Sequence, residues 1–231
     1  MRIPTEKEYC HDRLGEQFRA AISDYDTSRR MEILIDRFLP DERLRGRRVL
    51  EVGVGLGFFS QRLQEHGAVV TASDIGPELL RGVRESVGCE CVIADALSLV
   101  ECFGKNQFDV VLSSECVEHT PDPMEAVRQM AGVLKPGGYL SLSTPNRVWW
   151  PIVRTASILK LRPYDGLENF SSFSLIRTTL DACGMDVVEE YGLHLFPFQI
   201  PLSSLSRWCD RHLQFLRVIM INLCVVARKR A

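Results

Sequence analysis

Long apolar runs are missing from this chain. The longest late one, "VIMINLCVVA" from Val218 to Ala227, is about half of the ~20 residues that a membrane-spanning helix requires. It reads instead as a buried strand. The opening stretch, "MRIPTEKEYCHDRLGEQF", is polar and mixed in charge and has no apolar core of the secretory-leader kind. A soluble, cytoplasmic protein is the expectation. An excess of charge is missing too: the formal net charge is −2, so no basic field points to nucleic acid. The eight cysteines contain no C-x-x-C pair, which removes the usual zinc spacing. In a reducing compartment most of them serve as small core hydrophobes. Neither a repeat nor a low-complexity linker interrupts the chain. Hydrophobic residues at 45% and charged residues at 25% are ordinary globular values, and 231 residues suffice for one sizeable core.

Present instead is an alternation of strand and helix signals. Thr27 to Pro40 carries apolar residues at helical spacing. "RRVLEVG", "AVVTASD", "CVIAD" and "FDVVLSS" read as strands, with "FFSQRLQEHG" and "PELLRGVRESVG" as helices between them. "DPMEAVRQMAGVL" opens on Asp122, Pro123 and Glu125, a helix start with a capping Asp, a first-turn Pro and an acid three residues after the cap. "KPGG" then turns into strand "YLSLSTP", and "MDVVEEYG" and the Val218 run supply two last strands. Such spacing argues for an α/β, Rossmann-like, seven-stranded, mostly parallel sheet with helices on both faces. Residues 1–45 are expected to form an N-terminal helical cap on a domain covering 46–231. An inserted lid is expected at about 147–173, where the chain is aromatic, apolar and broken by Pro151 and Pro163.

The run "VLEVGVGLGFF" places Gly53, Gly55 and Gly57 between a strand and a helix. Glycine there permits positive φ and close backbone approach, and the helix N-terminus faces the ligand. A dinucleotide fingerprint would require glycine at 58, and position 58 is phenylalanine. That spacing speaks against an NAD-dependent oxidoreductase. Glu51, two residues before the first glycine, repels a pyrophosphate and suits an ammonium or sulfonium. Asp74 ends the second strand, where it can accept both hydroxyls of a ribose. Asp95 ends the third and can accept from the exocyclic amine of an adenine. Amino acid with sulfonium, ribose and adenine together describe S-adenosylmethionine.

From Val49 to Asn146 the sequence resembles the class I S-adenosylmethionine-dependent methyltransferases. The ordered set in "FDVVLSSECVEHTPDPMEAVRQMAGVLKPGGYLSLSTPN" carries most of the likeness. The resemblance implies that Glu51 and Gly53 face the methionyl part, Asp74 the ribose, and Asp95 with Ala96 the adenine, and Gly55 is counted with them among the cofactor residues. "ECVEH" is similar to the metal-binding E-x-x-E-H of small-RNA 2′-O-methyltransferases. It is also similar to the ubiquinone-biosynthesis O-methyltransferases, a likeness that "STPNR" and "EEYGLHLFP" extend.

Glu115, Glu118 and His119 are therefore the acceptor-side candidates, with Glu115 also counted among the cofactor residues. The trio suits Mg²⁺ or another divalent cation, which would lower the pKa of an acceptor oxygen. The same pair Glu118–His119 also occurs in metal-free relatives, lining the cofactor pocket. His194 is a candidate fourth ligand or general base. The acceptor implied is a hydroxyl on an apolar or amphipathic small molecule, because the ubiquinone relatives act on lipid-tailed phenols. Metal-independent N- or carboxyl-methylation is the alternative, and a non-catalytic cofactor-binding module is the reading of another class. The segment 147–161, with Trp149, Trp150, Arg147 and Arg154, is open to three uses: lid, plain packing, or peripheral membrane contact.

Overall fold

The computed structural model describes residues 23–159, 166–197 and 203–231. Helix α1 (Asp24–Met31) starts where the Ser23 side chain accepts from the Asp26 amide. It runs into a π turn (Glu32–Arg37) and a short α2 (Asp41–Leu44). The N-terminal helix thus begins before Thr27, and residues 1–22 of the expected cap lie outside the described residues. Strand β1 (Arg48–Val52), α3 (Phe58–Glu65), β2 (Val69–Asp74), α4 (Pro77–Ser86) and β3 (Glu90–Ile93) follow in strict alternation. Next come α5 (Leu99–Phe103), β4 (Phe108–Ser114), a 3₁₀ turn (Val117–His119), α6 (Pro123–Val133) and β5 (Leu134–Pro145). As its sequence anticipates, α6 is capped by Asp122, whose carboxylate accepts from the Glu125 amide.

The strands form one seven-stranded sheet in the order β3-β2-β1-β4-β5-β7-β6, completed by β6 (Met185–Leu193) and β7 (Asn222–Lys229). β1 to β5 run parallel, and β7 is antiparallel to both of its neighbours. Both faces are covered. Along β1, Leu50 and Val52 pack into one core, with Met124, Val127 and Met130 of α6, while Val49 packs into the other. That second core holds Leu34, Ile35 and Phe38 beside Leu63 of α3 and Val83 of α4. Leu223 and Val225 of β7 face the first core, and Cys224 and Val226 the second. Period-two alternation with both sides buried is what a sheet between helical layers demands.

The late apolar run divides in two. Val218 and Ile219 belong to a 3₁₀ turn (Gln214–Ile219) and are exposed, and the strand starts only at Asn222. An apolar run alone does not distinguish a strand from a packed turn. The 147–173 region holds a 3₁₀ turn (Arg147–Trp149), α7 (Trp150–Ile158) and the start of α8 (Phe173–Ala182). α9 (Ser203–His212) precedes the last 3₁₀ turn. Among the described residues, no helix is long and apolar enough to cross a membrane.

Candidate active site

Parallel strands direct their carboxyl ends to one edge of the sheet, and ligands of such folds sit there. A cavity of about 240 Å³ opens at that edge beyond β1, β2, β3 and β4. The loop after β1 forms its floor. Gly53, Gly55 and Gly57 all have left-handed backbones, with φ of +76°, +52° and +84°. The Gly53 and Val54 amides donate to the Ser73 carbonyl at 2.9 and 3.1 Å. A Cβ at Gly53 would run into the side chain of Cys116. The loop therefore packs against the turn after β4 only because this position is glycine.

Each acid named from the sequence around this loop has a defined seat. Asp74 Oδ2 accepts from the Gly55 amide at 3.3 Å and Oδ1 from the Gly76 amide at 2.9 Å. The Ala94 amide donates to the Asp74 carbonyl at 2.9 Å. That bond joins the β2 and β3 tips, and Asp95 follows immediately, its Oδ1 accepting from the Leu97 amide at 2.9 Å. Glu51 is buried, 2% exposed, and accepts a short hydrogen bond from the Ser60 hydroxyl. Burial pushes its carboxyl up to about 8, and Asp74 adds to the shift. Glu51, Gly53, Gly55, Asp74, Asp95, Ala96, Glu115 and His119 all line the cavity.

The "ECVEH" side chains do not converge. Glu115 has φ +51°, an uncommon strained conformation for a residue with a Cβ. Its Oε1 accepts from the Ser143 hydroxyl at 2.9 Å and its Oε2 from the Asn222 amide at 2.8 Å. Burial, then repulsion from Glu118, raises its carboxyl to about 7. Glu118 turns inward, 2% exposed, with Oε2 accepting from Thr144 at 3.2 Å, and burial raises it to about 8. His119 Nδ1 meets the Leu167 carbonyl at 2.8 Å. A carbonyl only accepts, so Nδ1 carries the proton and Nε2 is the basic nitrogen. Nε2 lies 3.8 Å from Glu118 Oε1. Among the described residues no three His, Cys, Asp or Glu side chains form a group fit to hold a metal ion. Glu118 is behind the cavity wall, and His194 is fully buried beside Asp26, away from the lining.

Sequence reasoning missed Arg30. This α1 side chain lines the cavity, donates from Nη1 to Ser114 Oγ at 2.7 Å, and lies over the Phe59 ring at 5.9 Å. No motif marks it. Its place follows from α1 crossing the carboxyl edge of the sheet, which spacing does not reveal. With it, the cavity offers a cation for a carboxylate, acids for an ammonium and a diol, and a polar turn for a purine. That set fits a zwitterionic amino-acid nucleoside.

Comparison with known proteins agrees. Residues 50–142 match the family model described as a methyltransferase domain. Over 170 residues the chain is 28% identical to a ubiquinone biosynthesis O-methyltransferase of Coxiella burnetii, covering 68% of this chain and 70% of the relative. It is 43% identical over 108 residues to the enzyme of that name from Xanthomonas campestris pv. campestris, covering 45% of each. The magnesium protoporphyrin IX methyltransferase of Synechocystis, crystallised with bound S-adenosylhomocysteine, superposes with a TM-score of 0.69 at 15% identity. It covers 96% of this chain and 97% of that one.

Proposed function

The chain is a class I S-adenosylmethionine-dependent methyltransferase, and we propose that it methylates a hydroxyl oxygen of an apolar or amphipathic small molecule. Bound S-adenosylmethionine supplies a methyl group already activated by sulfonium sulfur. The chain's own residues position the partners, an effect worth up to ~7–11 kcal/mol. In this reading Glu51 and the Gly53–Gly55 backbone face the methionyl part, Arg30 takes its carboxylate, Asp74 the ribose diol, and Asp95 with Ala96 the adenine.

The observation that carries the hydroxyl reading is His119. Its Nδ1 is tied to the Leu167 carbonyl, so Nε2 is a base at the cavity wall. A phenol of pKa about 10 needs such a base at neutral pH; an acceptor that is already ionised, such as a carboxylate, does not. Glu118, raised to about 8, stays largely neutral beside it and does not compete for the proton. The spread of Glu115, Glu118 and His119 onto separate partners favours this metal-free version over one using Mg²⁺. The relatives named as ubiquinone biosynthesis O-methyltransferases support an oxygen acceptor. The exposed side chains of Val148, Ile152, Ile158 and Leu159 beside Arg147 and Arg154 support a lid that receives an apolar acceptor, or touches the membrane that carries one.

Release of S-adenosylhomocysteine, measured over a panel of catechols, amines and carboxylates, tests the proposal. Turnover is expected on hydroxylated aromatics, unchanged by EDTA and by Mg²⁺ add-back. His119→Asn should lower kcat by about 10²–10⁴-fold, the usual worth of a positioned base, while S-adenosylhomocysteine affinity holds. Turnover confined to amines or carboxylates, or a His119→Asn variant with full kcat, would overturn it. Binding without turnover on any acceptor would favour a cofactor-binding module instead.

A further inference from the structure

We propose that Asp26 and His194 are positioning residues: their buried contact holds the Arg30 guanidinium in the orientation in which it meets the carboxylate of the cofactor's amino-acid part. The proposal rests on the reading of Arg30 given above and adds to it the device that aims the side chain.

The connection is a continuous run of hydrogen bonds from the far end of the sheet to the cavity. Asp26 divides its two oxygens. Oδ1 meets His194 Nε2 at 3.0 Å, and Oδ2 meets Arg30 Nε at 3.0 Å and Nη2 at 2.8 Å. With these two nitrogens fixed, Arg30 Nη1 is delivered to Ser114 Oγ at the tip of β4. Asp26 and Arg30 are four residues apart on α1, so the helix alone brings them onto one face. It does not determine the carboxylate's rotamer. His194 does that from the opposite side, and it is completely buried.

His194 is itself held firmly. Its φ is +62°, a strained conformation for a residue with a Cβ, which persists only where the surroundings over-determine it. Here they do so: its amide donates to Asp210 Oδ1 of α9 at 2.9 Å, and its carbonyl accepts from the Ile221 amide at 3.0 Å. The Tyr25 ring lies against the imidazole with centroids 5.7 Å apart. The histidine is thus anchored to α1, to α9 and to the residue before β7, and presents Nε2–H to the Asp26 carboxylate. Burial tends to raise the Asp26 carboxyl, yet Arg30 and then His194 hold it below its usual value. The carboxylate therefore stays ionised, as a partner for arginine must. A buried charge stripped of a partner is heavily penalised, so removing His194 should let Asp26 and Arg30 find other arrangements.

The test is calorimetric titration of the full chain with two ligands, S-adenosylhomocysteine and 5′-methylthioadenosine. The second shares the nucleoside and the sulfur and has no amino-acid carboxylate. Asp26→Asn and His194→Leu should each weaken S-adenosylhomocysteine about tenfold or more, the worth of one charge-assisted hydrogen bond, with methylthioadenosine unchanged. His194→Gln, whose amide reaches the position of Nε2, should restore the parental preference. Equal weakening of both ligands means a purely structural role and overturns the proposal, as does an unchanged preference in Asp26→Asn. Should His194→Leu not fold, Asp26→Asn and His194→Gln decide the matter on the same pair of ligands. Arg30→Gln separates the two levels. If it leaves the preference intact, the reading of Arg30 fails. If it abolishes the preference and Asp26→Asn does not, only the positioning role fails.

Discussion

Gly46 and Gly53 have almost the same backbone, φ +69° and +76°, and different surroundings. Nothing lies within 4 Å of a Cβ built on Gly46, whereas one on Gly53 would collide with Cys116. Gly46→Ala should therefore cost only the left-handed conformation, about 1–2 kcal/mol, with S-adenosylhomocysteine affinity intact. Gly53→Ala should cost more in a chemical melt and should also weaken that ligand at least tenfold in calorimetry, since the loop must shift off the turn after β4. Equal affinities in the two variants would show that the close approach at Gly53 is not needed for binding. The sequence conveyed this much because the glycines and acids are short-range signals: a loop type, a strand end, a cap. It could not convey Arg30, Ser114 or Asn222. Their roles arise from chain segments that meet only after folding, as when Asn222 of β7 reaches Glu115 after β4. Nor could it show that His194 lies outside the cavity lining, since that depends on which way the chain turns after β6.

The segment that leads into α8 is stitched to the acidic turn through two residues, Asn169 and Leu167. The Asn169 amide donates to the Glu118 carbonyl at 2.8 Å, and its side chain donates to the Thr120 carbonyl at 2.7 Å. His119 bonds Leu167 in the same return segment. Opening of the proposed lid would thus pull directly on the proposed base. Asn169→Ala should lower kcat on the acceptor several-fold, with the Kd for S-adenosylhomocysteine within about twofold. Its effect on stability should be about 1 kcal/mol, the worth of one side-chain hydrogen bond. A fall in cofactor affinity with kcat maintained would place Asn169 in the cofactor site instead. Helices and strands of this middle region were readable because caps and periodicity are local, as at Asp122. The 3₁₀ turn that takes the first part of the Val218 run was not. Its residues satisfy a strand's composition, and the tertiary connection to β7 decided their geometry.

Across the whole molecule, strand–helix alternation announced a parallel sheet, but not that β7 enters antiparallel between β5 and β6, because strand order is fixed by contacts distant in sequence. Folding on this plan also gathers three glutamates at one buried edge. Glu51 and Glu118 are raised to about 8 and Glu115 to about 7, in each case by burial first. In the unfolded chain glutamates titrate near ~4.3. Between those limits the folded state holds protons that the unfolded state has released, so stability falls as pH rises, by up to ~1.4 kcal/mol per pH unit for each group. Carboxyls held low by ion pairs, such as Asp26 and Asp109, act in the opposite sense but lose their contribution only in more acidic solution. Urea unfolding of the ligand-free protein at pH 5.5, 6.5 and 7.5 should therefore show midpoints that decline with an unchanged m-value. Glu51→Gln keeps a neutral group beside Ser60 and carries no proton to lose, so its decline should be shallower by roughly one group's share, at most ~1.4 kcal/mol per pH unit. A stability that rises over this range, or a Glu51→Gln variant with the parental slope, would mean that Glu51 is already ionised in the ligand-free fold. Solvent would then reach the base of the cleft, and the acid would be charged before any cationic ligand arrives.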